Sequence, residues 1–235
     1  MMKEKRTNNG NCYLCGKTLG KTALKNHILK EHDHGEEESF LLRVDSAVFK
    51  DYWLYIDMPK SKKIEYIDKF LRKIWLECCG HMSQFHRAGK ARKIGDFAEG
   101  TELHYEYDMG TTTELSITFI CKINRPKQIP AVRLLARNEP PNLNCSVCGE
   151  PAKFICSECM YNPDEAVGSL FCEKHAKKHE HDDMIMPITN SPRSGECGYD
   201  GENDFYTFTG NLEHDKRTSV GNIRKYHWVY VGEDK

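Results

Sequence analysis

The sequence predicts an α+β protein, with one main helix packed on a mainly antiparallel sheet. An N-terminal zinc finger and a C-terminal two-zinc module flank it. Three observations carry this. Apolar and polar residues alternate along several short stretches of residues 39–138, the period of half-buried strands. Only the stretch from Ser61 to Cys78 repeats its apolar residues at helical spacing. Cysteines and histidines at metal-ligand spacing stand on both sides of this region.

The N-terminal unit, residues 10–33, contains Cys12-x2-Cys15-x11-His27-x4-His32. Two C-x2-C sulfurs on a hairpin can converge on one ion, and two histidines about one turn and a half apart on a helix can close the tetrahedron. The x4 gap calls for slight unwinding of the last turn, and Leu19 and Leu24 supply a tiny core. The unit resembles the C2H2 zinc-finger family, one residue short between Cys15 and His27. That resemblance places Gly20, Ala23 and Asn26 toward bases, and only Asn26 has useful hydrogen-bonding groups. Lys17, Lys21, Lys25 and Lys30 suit phosphates instead.

An acidic hinge, Asp33 to Glu38, leads into the core domain, residues 39–138. Phe40, Leu42 and Val44 mark a strand, and Trp53 to Met58 a second. Ser61 can cap the main helix, Ile64, Ile67, Leu71, Ile74, Trp75 and Cys78 form its apolar stripe, and Gly80 ends it. Leu103–Tyr107 and Leu115–Phe119 read as two strands joined through the Asp108-Met109-Gly110-Thr111 turn, and Val132–Leu135 adds another. His104, Glu106 and Asp108 share one strand face and read as a solvated polar surface. The loop Arg87, Lys90, Arg92, Lys93, with Phe85 and His86 beside it, has the composition of a phosphate-backbone contact.

Asn138 to Asn142, with two prolines, reads as a linker. The second metal unit, residues 143–198, contains Cys145-x2-Cys148-x7-Cys156-x2-Cys159-x12-Cys172-x2-His175-x3-His179-x-His181. Eight ligands in four close pairs are what two closed tetrahedral zinc sites need. Interleaved pairing, as in B-box-like cross-brace modules, puts Cys145, Cys148, Cys172 and His175 on one ion. It leaves Cys156, Cys159, His179 and His181 for the other. The competing sequential topology groups Cys145, Cys148, Cys156 and Cys159. Cys78, Cys79 and His81 read as core packing because adjacent cysteines chelate one ion awkwardly. Cys197 stands outside sets that already hold four ligands each, and the segment around Asn190–Arg193 and Cys197 reads as a cap on the zinc module. Residues 199–235 form a tail expected to pack on the rest.

Three blocks carry a further resemblance: Trp75-Leu-Glu-Cys-Cys-Gly-His-Met-Ser-Gln-Phe85, His104-Tyr-Glu-Tyr-Asp-Met-Gly110 and Asn190-Ser-Pro-Arg-Ser-Gly-Glu-Cys-Gly-Tyr199. Together they are similar to the Ri-plasmid open-reading-frame-three-like family of prokaryotic proteins, some carried by mobile elements. The resemblance implies the α+β core and the zinc-bearing extension, and implies no activity. Many members follow the Tyr-Asp-x-Gly turn with an acidic residue and a tryptophan, where this chain has Thr111, Thr112 and Thr113.

The chain carries 11 cysteines, no 18-residue apolar run and no apolar stretch behind its charged start, so the expected setting is the reducing cytoplasm, away from membranes. Residues 1–33 hold seven basic against three acidic residues, while residues 139–235 hold ten against 17. Four protein ligands per zinc leave no open position for a catalytic water, and no nucleophile or base is recognisable. The expected protein is a non-enzymatic carrier of three zinc ions that docks on nucleic acid or a nucleoprotein complex. The phosphate contacts would come from Lys21, Lys25, Asn26, Arg87, Lys90, Arg92 and Lys93. A protein-protein adaptor is the alternative, and a hydrolase has no defensible site.

Overall fold

The computed structural model describes residues 9–127, 130–162 and 168–201. Strands β1 (Asn9–Cys12) and β2 (Thr18–Gly20) form a hairpin, and helix α1 (Lys21–Glu31) follows. Strands β3 (Glu37–Ser46) and β4 (Trp53–Pro59) come next, and then helix α2 (Glu65–Leu71), which runs on as a π turn over Arg72–Leu76. Strands β5 (Ser83–Phe85), β6 (Glu102–Tyr107), β7 (Thr113–Arg125) and β8 (Arg133–Asn138) complete an eight-stranded antiparallel sheet. Its order is β2-β1-β8-β4-β3-β7-β6-β5. The protein is thus mostly antiparallel sheet with few helices, compatible with α+β.

The sheet is covered on both faces, and the alternation of β4 shows why. Leu54, Ile56 and Met58 join Phe40, Leu42, Phe119 and Leu134 in a core closed by Ile64, Ile67, Phe70, Leu71 and Trp75. Trp53 and Tyr55, on the opposite face, pack with Leu41, Ile123 and Leu135 beneath Leu24 and Ile28 of α1. A strand buried along both faces reads as one apolar run, and every residue of β4 is buried. The hairpin of the first Cys/His unit therefore does not stand apart from the middle section. β1 pairs with β8 as well as β2, and Gly10 lets it pass over Trp53, whose ring would lie 2.4 Å from an added Cβ.

The helix expected as the main one is shorter than its apolar stripe, and with 7 residues α2 is shorter than the 11-residue α1. It starts late because the N–H groups of Ile64 and Glu65 donate to the carbonyls of Arg92 and Lys90, at 2.9 and 3.0 Å. It ends early because Glu77 is extended (ψ 120°). Cys78 accordingly lies beyond the helix rather than on its stripe. Asp108 also departs from expectation. It leaves β6 with a positive φ of 68°, is buried, and accepts from the Gly110 N–H at 2.9 Å and the Thr111 hydroxyl at 2.9 Å.

The second Cys/His unit builds its own three-stranded sheet, β10-β9-β11, from β9 (Phe154–Cys156), β10 (Leu170–Phe171) and β11 (Ile185–Pro187). Two short helices, α3 (Ser157–Tyr161) and α4 (Glu173–Ala176), complete it. The chain then returns to the large sheet. The Asn190 carbonyl accepts from Trp75 Nε1 at 3.0 Å and Arg137 at 2.5 Å, and its side chain exchanges hydrogen bonds with Asn138. The Ser191 hydroxyl donates to the Trp75 carbonyl at 2.7 Å, and Arg193 is fully buried against Asp108 at 2.7 Å. Residues expected to cap the zinc module thus plug the core domain. Of the tail, residues 202–235 lie outside the described residues. Among the described residues no helix is long and apolar enough to cross a membrane.

Candidate metal centres

The first centre gathers Cys12, Cys15, His27 and His32. Cys12 ends β1 and Cys15 sits in the tight turn that follows, where the Gly16 N–H donates to the Cys12 carbonyl at 2.8 Å. His27 lies on α1 and His32 just past its end (φ −127°), which gives the unwinding the x4 spacing requires. Cys12 Sγ is 3.5 Å from His32 Nε2, Cys15 Sγ 3.1 Å from His27 Nε2, and the two imidazole Nε2 atoms 3.2 Å apart. Donors about 2.0–2.3 Å from one ion stand about 3.3–3.8 Å from one another in a tetrahedron, so these residues fit a zinc ion. Burial lowers His32 to about 4, which keeps the imidazole neutral as a ligand must be. Burial also pushes the Cys12 thiol up to about 12, so a cation is needed to hold it as thiolate.

The eight candidate ligands of the second unit fall into two groups. Cys145, Cys148, Cys172 and His175 converge as one group, and Cys156, Cys159, His179 and His181 as another. This is the interleaved arrangement, and the sequential grouping is not formed. Cys148 and Cys172 Sγ are 3.8 Å apart, and His175 Nδ1 lies 3.5 Å from Cys145 Sγ and 3.3 Å from Cys172 Sγ. In the other group Cys156 Sγ is 3.8 Å from His181 Nδ1, and Cys159 Sγ 3.1 Å from His179 Nε2. The reason is topological. The antiparallel pairing of β10 with β9 brings Cys172 back toward the first knuckle, and β11 returns on the other side of β9 beside Cys156. Burial opposes the Cys145 thiolate, but the backbone N–H groups around Cys172, Cys148 and Val147 outweigh it and bring the thiol down to about 6. Such N–H···S bonds are what a knuckle offers a bound thiolate.

A fourth group was missed in the sequence. Cys78, Cys79 and His81 meet Cys197 across 116 residues and more. Only the short Cys-Cys-x-His spacing hinted at it, because the fourth member lies beyond all eight ligands of the second Cys/His unit. A fifth group, His86, His104 and Glu106, lies partly exposed where β5 meets β6. The Glu106 carboxylate is occupied by His86 at 2.8 Å, His104 at 3.3 Å and Gln84 at 2.7 Å.

The residues expected to hold phosphates are scattered. Lys21 is paired with Asp45 and lies 5.9 Å over the Trp53 ring, and Lys90 reaches inward to Asp68 at 2.9 Å and Ser83 at 2.7 Å. Asn26 is exposed on α1 and Lys25 half-buried. Arg87, Arg92 and Lys93 are exposed, with the Arg92 guanidinium 4.3 Å over Phe97. The finger sits at the β2 end of the strand order, and the loop after β5 runs back to residues 60–65 that follow β4, where Lys93 bridges Lys63.

No family model matches the chain, and no curated protein matches it. Among solved structures it is similar to a protein of unknown function from Methanosarcina mazei, at 17% identity and a TM-score of 0.38, over 43% of this chain and 70% of that one.

Proposed function

We propose that this chain is a non-enzymatic zinc protein whose ions shape and join docking surfaces. The observation that carries the reading is the completeness of the donor sets, since four protein ligands on an ion leave no position for a reacting water. Zinc would be held by Cys12, Cys15, His27 and His32, and by the two interleaved sets of the C-terminal module. It would supply folding energy there.

For the partner, we favour another protein. The inward pairing of Lys21 and Lys90 removes two of the charges a polyanion would meet. The finger packs through α1 on one face of the sheet, whereas the loop after β5 bonds to residues 60–65 beside the helix that covers the other face, which argues against one basic patch. Apolar side chains beside the metal centres, Val147 and Met184, are left exposed, as at a protein-docking rim. Docking on nucleic acid or a nucleoprotein complex is the second reading, favoured by the exposure of Arg87, Arg92 and Lys93. Membership in the Ri-plasmid open-reading-frame-three-like family stays a proposal beside both.

Affinity purification with and without nuclease separates the two. Partners retained after nuclease treatment are the expected result. Nuclease-sensitive capture, together with duplex binding whose log-log salt slope is near −0.9 per phosphate contact, hands the case to nucleic acid. In that event Lys25, Arg92 and Lys93 changed to alanine should make the slope shallower.

A further inference from the structure

We propose that Cys78, Cys79, His81 and Cys197 form a fourth zinc site, which staples the end of the C-terminal module to the core domain. The site lies outside the three centres the spacing of the sequence identifies, and it does not depend on which partner the protein docks.

Geometry carries the inference. Cys79 Sγ lies 3.9 Å from Cys78 Sγ, 3.8 Å from Cys197 Sγ and 2.9 Å from His81 Nε2. His81 Nε2 lies 3.2 Å from Cys197 Sγ. All four donor atoms fall within 4.8 Å of one another, as in the other three tetrads. Sulfurs bound to one zinc at about 2.3 Å stand about 3.8 Å apart, whereas a disulfide holds its sulfurs at about 2.05 Å. The observed separations match the first and not the second. Adjacent cysteines can share the ion because the helix has already ended. Glu77 is extended and Gly80 takes φ +84°, so the chain turns around the site instead of carrying the cysteines along a helix face.

The surroundings suit a thiolate-rich site. Three thiolates around a divalent ion leave one net negative charge, and the fully buried Arg193 guanidinium stands 3.5 Å from Cys78 Sγ. A cationic N–H donor at that place holds a ligating sulfur as thiolate and orients it. Asp108 is 3.4 Å from His81 Nε2, but its Oδ2 already accepts from Arg193 and Thr111, so the carboxylate is engaged elsewhere and is not a fifth ligand. The donor set, three sulfurs and one imidazole, selects zinc among common intracellular divalent ions. Binding releases the thiol protons to solvent, and no electron moves.

The test uses the full chain expressed without added metal. Elemental analysis should give four zinc ions per chain, and Cys197→Ser and Cys79→Ala should each give three. Cobalt substitution should show the loss of one three-thiolate spectrum in Cys197→Ser, with the three other centres unchanged. Should a variant fail to fold, alkylation of the folded wild-type chain decides instead. Cys79 and Cys197 are exposed, so they should resist a maleimide with metal present and react quickly after chelation, read by peptide mass. A wild-type content of three ions overturns the proposal, as do rapid labelling of both cysteines in the metal-loaded chain or a Cys79–Cys197 disulfide.

Discussion

Asp57 shows how one residue fixes the sheet's second face. It is fully buried, with Oδ1 2.9 Å from Arg125 and Oδ2 2.6 Å from Arg133 Nε. Removing one partner of a buried ionic group leaves the others uncompensated, so Asp57→Ala should cost about 3–5 kcal/mol, measured by urea unfolding. Asp68 gives a pH signature. Burial would raise its carboxyl, but hydrogen bonds from Ser83, Tyr105 and Lys90 outweigh it and hold the carboxyl below its ordinary value. A lowered folded value means stability present above about pH 4 and lost as pH falls through the folded value. Asp68→Asn should therefore lose more stability at pH 7 than at pH 3, and an equal loss at both would contradict it. The Cys/His groups that could hold a metal are the part most legible in the sequence, because a chelate must be built from short spacings such as Cys145-x2-Cys148. Cys197 was not legible, since its partners are brought to it by tertiary structure alone.

At the scale of elements, the strands were legible and the layers were not. Phe40–Val44, Trp53–Met58, Leu103–Tyr107 and Leu115–Phe119 each fall within an observed strand. The unbroken apolar run Trp53 to Ile56 carried the further message that both faces of β4 are covered, and α1 is the cover. The helix boundaries were misplaced at both ends, at the start by the distant Lys90 and Arg92 carbonyls and at the end by the local turn at Glu77. The close approach of β1 to its neighbours makes a sharp prediction. An added Cβ at Gly10 would lie 2.3 Å from the Arg137 carbonyl oxygen and 2.4 Å from the Trp53 ring. Gly10→Ala should therefore push the hairpin off β8, costing on the order of 1–3 kcal/mol as other overpacked sites do. Amide hydrogen exchange should show loss of protection at Asn11 and Arg137, with β6 and β7 unaffected.

For the whole molecule, the linker at Pro140 and Pro141 suggests a core that ends near residue 138, yet the sheet takes two strands from the N-terminal flank and the core takes hydrogen bonds from residues 190–193 of the C-terminal one. Residues 39–138 alone lack β1, β2 and α1, so Trp53, Tyr55 and Leu135 would face water. They also lack residues 190–193, so Trp75 Nε1 and the Asn138 side chain would lose their Asn190 partners and Asp108 its buried arginine. Exposing one large apolar side chain costs about 1.5–3 kcal/mol, and several such losses approach the 5–15 kcal/mol by which a domain is stable at all. The fragment 39–138 should thus show no cooperative thermal transition by circular dichroism, whereas residues 9–201 loaded with zinc should melt in one. Chelation from the full chain should lower the melting point of the large sheet itself, because α1 and the 190–193 plug are both anchored next to metal centres. A fragment 39–138 that melts cooperatively near the temperature of the zinc-loaded chain would show instead that the flanking units only decorate an independent core.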